Sequence, residues 1–472
     1  MPAIKSTGAY VPYYRLKREE IVRAWGSGSP KGERAVANFD EDSITMAVEA
    51  GRDCLKGLDR DIIDGLYFAS SSAPFLEKQS ASIIAAGLDL KKEAFTVDIT
   101  DSMRAGTNAL KLAIDAIDAG TAKNILVIAS DCRLGKPGSG LEQEFGDGAV
   151  SLLISNEGDI EFESFYTHTS EIYDQWRTHE QDFVNMWEDR FVYTQGYLDK
   201  IKDTTDAFMK KMNSSIQDFD KISMYAPGSR RHIEACRMLK LDPKSDNVQD
   251  TMLDVVGNTG TASALLVFVA SIEDAKAGDR LLLMNYGDGC DLFIFKVKNK
   301  LVLRDRQKGV VGYLKSKSYL KNYEKYIQFR RLMDVQTGRK RPPMVSSAVA
   351  LNRGRAMIYS LHAGECANCG RAFFPPQRIC NYCRAKDQVK EFSISDQRGT
   401  LFSFCKDLVA ESIDPPVVVC IVNLEGNLRF VGGMTDRNSD NIEMDMPVEF
   451  TFRKISDAGG YYNYFWKCRP IR

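Results

Sequence analysis

Two stretches of the chain, about 154 residues apart, repeat one order of apolar and polar positions. In the first, the apolar run 94–98 turns through the small and polar residues 100–107, after which Leu110, Leu112, Ala113, Ala116 and Ile117 recur with helical spacing. In the second, the run 252–256 passes through Gly257, Asn258, Thr259 and Gly260 into an apolar helix that reaches Leu266. Each is followed by a buried strand, 125–131 in one and 280–286 in the other. A period this long does not describe a solenoid. It predicts a duplicated α/β domain of strand, tight elbow and helix, with the two elbows meeting at one central site.

The remaining pattern fills in this frame. Alternation over 4–11 predicts a first strand ended by Pro12, and 43–50 reads as a helix capped by Asp42 or Ser43. Residues 62–72 read as a strand running into a loop, and 150–154 as a buried strand. The loop between Gly146 and Gly148 is either a tight turn or a close backbone approach to the site. Residues 159–215 read as an insertion carrying Tyr173, Trp176, Phe183, Trp187 and Phe191, which either wall a small-molecule pocket or serve as lid or dimer packing. The second half then starts near Asp220.

Beyond 298 the pattern changes. Residues 299–345 read as a basic helical linker with Lys315, Lys317, Lys321, Lys325, Arg330, Arg331, Arg339, Lys340 and Arg341, helical at 319–332 and bounded by Pro342 and Pro343. Short strands at 399–404, 417–422, 428–433 and 448–452, with the aromatic run 461–466 closing them, predict a small β-barrel.

Composition adds limits. A net charge of -1 over 472 residues argues against an obligate nucleic-acid partner, which calls for a basic surplus. The N-terminus lacks signal-peptide character and the apolar stretch 262–272 is too short to span a bilayer, so a cytoplasmic protein without a membrane partner is expected. Seven of the 11 cysteines are scattered singly and read as reduced core residues. The other four form two knuckles, Cys366-x-x-Cys369 and Cys380-x-x-Cys383, whose spacing suits a closed tetrahedral site for structural Zn2+, with a rubredoxin-like iron centre as the minor alternative.

The elbow 102–107, the loop 146–150 and the turn 257–259 resemble the thiolase superfamily, in particular its 3-hydroxy-3-methylglutaryl-CoA synthase and ketoacyl synthase III branch, over residues 1–298. The resemblance implies a layered α/β/α/β/α domain, a CoA thioester as substrate, and a homodimer with or without a further thiolase-like subunit. It places Met103 where the family has its nucleophilic thiol, Ser71 where it has a catalytic Glu, and Tyr225 where it has a His two residues before Pro227. Asn258 falls on the family's catalytic Asn, and Arg230 on a basic position suited to the CoA phosphates. Gly106 and Gly257 are the elbow glycines that would line the substrate; Trp176 is the insertion's candidate for substrate contact, if its aromatics wall a pocket and are not lid or dimer packing.

A thioether has no proton to lose, so covalent acylation at Met103 is not expected. Ser102 reads as a helix N-cap, His232 as a helix-face residue, and Cys132 and Cys290 as structural. What remains is a set of elbow N–H donors, Asn258 and the Tyr225 phenol, enough to stabilise an enolate and exchange a proton with a substrate hydroxyl. The expected chemistry is therefore aldol or retro-aldol on a β-hydroxyacyl-CoA, catalysed by a lyase or acyltransferase of the superfamily. The alternatives are Claisen-type acyl transfer and a non-catalytic acyl-CoA-binding or scaffold subunit. Residues 346–472, read as helix and zinc ribbon (346–388) and OB-fold barrel (389–472), are similar to the zinc-ribbon/OB family that accompanies thiolase-like enzymes.

Overall fold

The computed structural model describes residues 1–100, 102–333 and 345–472. Asp101, Arg339, Lys340, Arg341, Pro342 and Pro343 lie outside the described residues. The chain divides into two units, one made of 1–37, 42–82 and 91–326, the other of 38–41, 83–90 and 327–472. Among the described residues no helix is long and apolar enough to cross a membrane.

The first unit is built on a nine-stranded sheet. Its strands are β1 (Ala3–Tyr10), β2 (Gly65–Ala69), β3 (Phe95–Ile99), β4 (Asn124–Asp131), β5 (Gly148–Ser155), β6 (Ile160–Thr169), β7 (Lys221–Met224), β8 (Arg280–Tyr286) and β9 (Gly289–Val297). They lie in the order β7-β8-β9-β6-β1-β5-β4-β2-β3. The duplication is visible in that order: β1-β5-β4-β2-β3 come from the first half and β6-β9-β8-β7 from the second. The halves meet where Ala3 pairs with Glu161 and Ile4 with Ile160. Strands such as Gly148–Ser155 are buried along their whole length, because helices cover both faces.

Helix α1 (Ser43–Cys54) starts at Asp42, whose carboxylate accepts the Thr45 N–H while the Thr45 hydroxyl accepts the Asp42 N–H. Helix α2 (Ala105–Asp118) follows the first elbow and buries Ala105, Ala109, Leu110, Ala113 and Ile117, leaving Leu112 exposed. Its N-cap is Arg104, not Ser102.

Three expectations need correction. The run 252–256 forms a turn rather than a strand, because its backbone is engaged elsewhere: the Asp254 and Val256 carbonyls accept the N–H groups of Glu33 and Ala35. The parallel partner of β7 on that side is reduced to the bridge Ile222–Val248. The insertion does not begin at 159, since β6 is a core strand equivalent to β1, and helix α3 (Asp199–Met212) buries Ile201 and Phe208 as α1 buries its own apolar face. Only the segment after Thr169 and before α3 leaves the repeated plan. Finally, 299–326 is no linker. It belongs to the α/β unit, where Tyr313 packs edge-on against Tyr10 at 5.2 Å and the Asp53 carboxylate accepts the N–H groups of Lys308 and Gly309. Lys317 donates to Glu33 at 2.5 Å, and the helix expected at 319–332 spans Tyr323–Arg330.

In the second unit, helices Ala348–Arg353 and Arg355–Ser360 precede a three-stranded ribbon, β10 (His362–Cys366), β11 (Ala372–Phe373) and β12 (Val389–Ser393). The strands β13 (Arg398–Asp407), β14 (Val417–Asn423), β15 (Arg429–Gly433), β16 (Pro447–Ala458) and β17 (Tyr461–Pro470) follow, ordered β15-β14-β13-β16-β17. A bridge between Met434 and Cys468 ties the two ends of that order together, giving the small barrel. Trp466 fills its interior and donates to the Tyr359 carbonyl at 2.9 Å.

Candidate active site

The two elbows meet, as the repeated pattern implies, and two glycines make the meeting possible. A Cβ on Gly106 would stand 2.4 Å from the Thr261 carbonyl oxygen. Gly257 has φ +90° and a Cβ there would lie 2.8 Å from the Gly146 nitrogen. Both glycines are thus required by backbone approach between elements, which is a different role from the substrate contact expected of them.

Beside the first elbow lies a cavity of about 1090 Å3, walled by Ser71, Met103, Arg133, Asp174, Trp176 and Asp288 among others. Met103 is held by its carbonyl, which accepts the Asn285 side-chain N–H at 3.3 Å. Ser102 donates to Asp288 at 2.8 Å and accepts the Arg104 N–H at 3.2 Å. Arg104 in turn pairs with buried Asp291 at 3.0 Å, so the elbow is pinned from below.

At the end of β4, the Asp131 carboxylate accepts the hydroxyls of Ser70, Ser71 and Ser72 and the N–H groups of Ser71 and Thr261. The Ser71 hydroxyl, committed as a donor at 3.0 Å, is no general base. Two residues further on, Arg133 is 3% exposed and reaches the cavity wall. Its Nη1 donates to Gln175 Oε1 and its Nη2 to Asn258 Oδ1, each at 3.1 Å, and its guanidinium lies 4.1 Å over the Phe145 ring.

Asn258 and Tyr225 are together, with the Asn258 side-chain N–H donating to the Tyr225 hydroxyl at 3.0 Å. They are 1% and 3% exposed, and neither stands on the cavity wall; Arg133, which bonds Asn258, does. Burial raises the Tyr225 phenol above its ordinary value, against the pull of Arg133 and Asn258. Burial also raises the Asp174 carboxyl, and Asp174, unlike Tyr225, faces the cavity.

Trp176 is on the wall, within 5.9 Å of the Trp187 ring and 6.1 Å of Tyr173. Arg230 is not: its side chain is 83% exposed and pairs with Glu234 at 3.0 Å. His232 is buried on the helix Ser229–Met238 against Cys236, and Cys132 and Cys290 stand off the wall.

Arg133, Asp174 and Glu144 were not singled out by the sequence. Arg133 carried one signal, a charge directly after a buried strand on the side where α/β sites open. Glu144, next to the second elbow, is pushed to about 7 by burial and then by Asp189.

In the second unit the sulfurs of Cys366, Cys369, Cys380 and Cys383 lie within 4.8 Å of one another, with Cys366–Cys383 at 3.6 Å and Cys369–Cys380 at 3.7 Å. A tetrahedral S4 site with Zn–S near 2.3 Å has sulfurs about 3.8 Å apart, so the four fit zinc. The Tyr382 N–H and the Asn368 amide each point at a ligand sulfur at 3.4 Å, as suits thiolates.

Residues 354–387 match the family described as ChsH2, rubredoxin-like zinc ribbon domain. The hydroxymethylglutaryl-CoA synthase of Pyrobaculum arsenaticum is 31% identical over 346 residues, covering 70% of this chain and 98% of that protein. That of Thermococcus onnurineus is 30% identical over 333 residues, covering 69% and 94%. The chain belongs to the hydroxymethylglutaryl-CoA synthase family. Its fold agrees with that membership. A structure described as HMG-CoA synthase complexed with CoA superposes with a TM-score of 0.64 at 20% identity, over 73% of this chain and 94% of that one. The ketoacyl synthase III of Thermus thermophilus does so with a TM-score of 0.56 at 20% identity, over 63% and 100%. The duplicated sheet is thus the layered thiolase fold, and this synthase-family chain carries a zinc ribbon and β-barrel after it in sequence.

Proposed function

We propose that this protein acts on a CoA thioester and makes or breaks the bond between Cα and Cβ of a β-hydroxyacyl-CoA, in the aldol or retro-aldol sense, with no acyl-enzyme. The family and the CoA named for its structural relative support the thioester. The observation that carries the rest is Met103, a thioether in the elbow just before α2, on the cavity wall. Acylation needs a thiolate there, and none of the scattered cysteines stands on the wall.

In the cleavage direction, the Asp174 carboxylate takes the proton of the substrate's β-hydroxyl. The Cα–Cβ bond then breaks, its electron pair moves onto the thioester as an enolate, and a ketone or aldehyde departs. The proton held on Asp174 returns to Cα, leaving a shorter acyl-CoA. A carboxyl raised by burial suits a group that must both take and give the proton. Tyr225, one layer behind the wall, serves by holding Asn258 and through it Arg133.

The test is turnover of a panel of β-hydroxyacyl-CoA thioesters, followed by chromatography of the CoA products and trapping of the carbonyl product, with intact-mass analysis of the protein during turnover. Matching carbonyl and shortened acyl-CoA without an acyl adduct is expected, and Asp174→Asn lowers the rate at least tenfold. An acyl group on any residue of the elbow sinks the proposal in favour of Claisen-type transfer. Tight CoA-thioester binding with no turnover of any member points to a binding subunit.

A further inference from the structure

A guanidinium withdrawn from water is costly unless an anion answers it. Arg133 is withdrawn; among the described residues it has no direct ion pair, and the Asp131 and Asp174 carboxylates favour its charge only through space. Its two bonds go to neutral oxygens, Gln175 Oε1 and Asn258 Oδ1, while its Nε, buried beside Gly260, has no hydrogen-bond partner among the described residues. Asp131, two positions earlier, directs its oxygens to Ser70, Ser71, Ser72 and Thr261. Phe145 supports one face of the guanidinium, so the side chain is fixed in position on the cavity wall with no carboxylate bonded to it.

Part of the donor set that would otherwise receive a thioester oxygen is already engaged. The elbow N–H of Arg104 donates to the Ser102 hydroxyl, and that of Ala105 to the Ser102 carbonyl. Asn258 gives a side-chain N–H to Tyr225.

We propose that Arg133 is a catalytic residue that binds the thioester oxygen as enolate charge gathers on it, with Asn258, Gln175 and Phe145 as its positioning residues. This rests on the reading of the cavity as a CoA-thioester site. A charged donor aimed at developing negative charge acts on the transition state more than on the ground state, so its loss falls on kcat. Were Arg133 instead a clamp for a carboxylate already present in the substrate, its loss would fall on KM.

The experiment compares wild type, Arg133→Gln and Arg133→Lys with two probes: a CoA analogue with a carboxylate in place of the thioester, as a stable enolate mimic, and S-ethyl-CoA as its neutral counterpart. Wild type is expected to bind the anionic analogue at least tenfold more tightly than the neutral one. Arg133→Gln is expected to lose that preference, to keep its affinity for the neutral analogue within threefold, and to lower kcat about 100-fold on any substrate found by the turnover screen. Arg133→Lys recovers part of both. A preference that survives in Arg133→Gln overturns this inference alone. Failure of wild type to bind either analogue overturns it together with the thioester reading. Melting curves of the variants separate loss of charge from loss of fold.

Discussion

Asn258 stands between Tyr225 and Arg133, giving its side-chain N–H to the phenol at 3.0 Å and receiving the guanidinium on Oδ1 at 3.1 Å. The same Oδ1 accepts the Gly260 N–H at 3.0 Å. Asn258→Ala therefore strands two buried donors, each costing about 1–3 kcal/mol, and releases Arg133. Tyr225→Phe strands only one side-chain N–H and leaves the Arg133 contact in place. Turnover is expected to fall about 100-fold in Asn258→Ala, as for a misplaced catalytic group, and several-fold in Tyr225→Phe, with urea midpoints in the same order. If Tyr225→Phe abolishes turnover with its midpoint unchanged, the phenol itself carries the proton.

Glu144 links the site to pH. Its carboxyl is pushed to about 7, first by burial and then by Asp189, so between its ordinary 4.5 and about 7 the native state holds a proton that the unfolded chain releases. Stability from this group is present below 4.5 and is lost as pH rises through about 7, by at most about 3 kcal/mol. Glu144→Gln keeps the side chain neutral and should flatten that part of the profile. The difference in urea midpoint between pH 5 and pH 8, compared for wild type and Glu144→Gln, measures it; an unchanged difference removes Glu144 as its source.

Much of the architecture could be read from local pattern, because strand, elbow and helix leave a periodic trace and because the knuckle spacing of Cys366 to Cys383 is set by one metal's geometry. The errors came where tertiary contacts decide. Residues 252–256 have a strand's composition, but their carbonyls serve Glu33 and Ala35, more than 200 positions earlier in the chain. Strand β6 looked like the start of an insertion because its pairing with β9 and β1 is invisible locally. In the site, the resemblance pointed to Asn258 and Tyr225, which are hydrogen-bonded to each other, but it did not give their depth, since Arg133, which bonds Asn258 and stands on the wall, belongs to no motif.

The zinc ribbon should behave as a cooperative switch. A site of four thiolates contributes roughly 10–16 kcal/mol to the folding of so small a module. One zinc per chain is expected by elemental analysis, with a colourless protein excluding iron. Cys380→Ser, or chelation at raised temperature, should release the metal and expose the ribbon to protease between β10 and β12. Retention of protease resistance after complete zinc loss would show that the ribbon is held by its hydrophobic contacts instead.

Arg453 carries the second unit's polar core. It is fully buried, pairs with Asp436 at 2.6 Å and with Glu41, and lies 3.7 Å from Asp40, which also receives Lys467 at 2.8 Å. Burial alone would raise the Asp40 carboxyl, yet Lys467 and Arg453 together hold it below its ordinary value. A depressed carboxyl contributes stability that is present above its unfolded value and is lost as pH falls through the folded one. Arg453→Met preserves volume but takes the shared cation from Glu41, Asp436 and Asp40, leaving Lys467 on Asp40 and Arg469 3.5 Å from Asp436, a loss of about 3–5 kcal/mol. The variant is expected to unfold at lower urea at pH 7 and to lose part of that deficit near pH 4, where protonation relieves the unpaired carboxylates. Equal deficits at both pH values would mean that Arg453 acts through packing and that its charge contributes nothing.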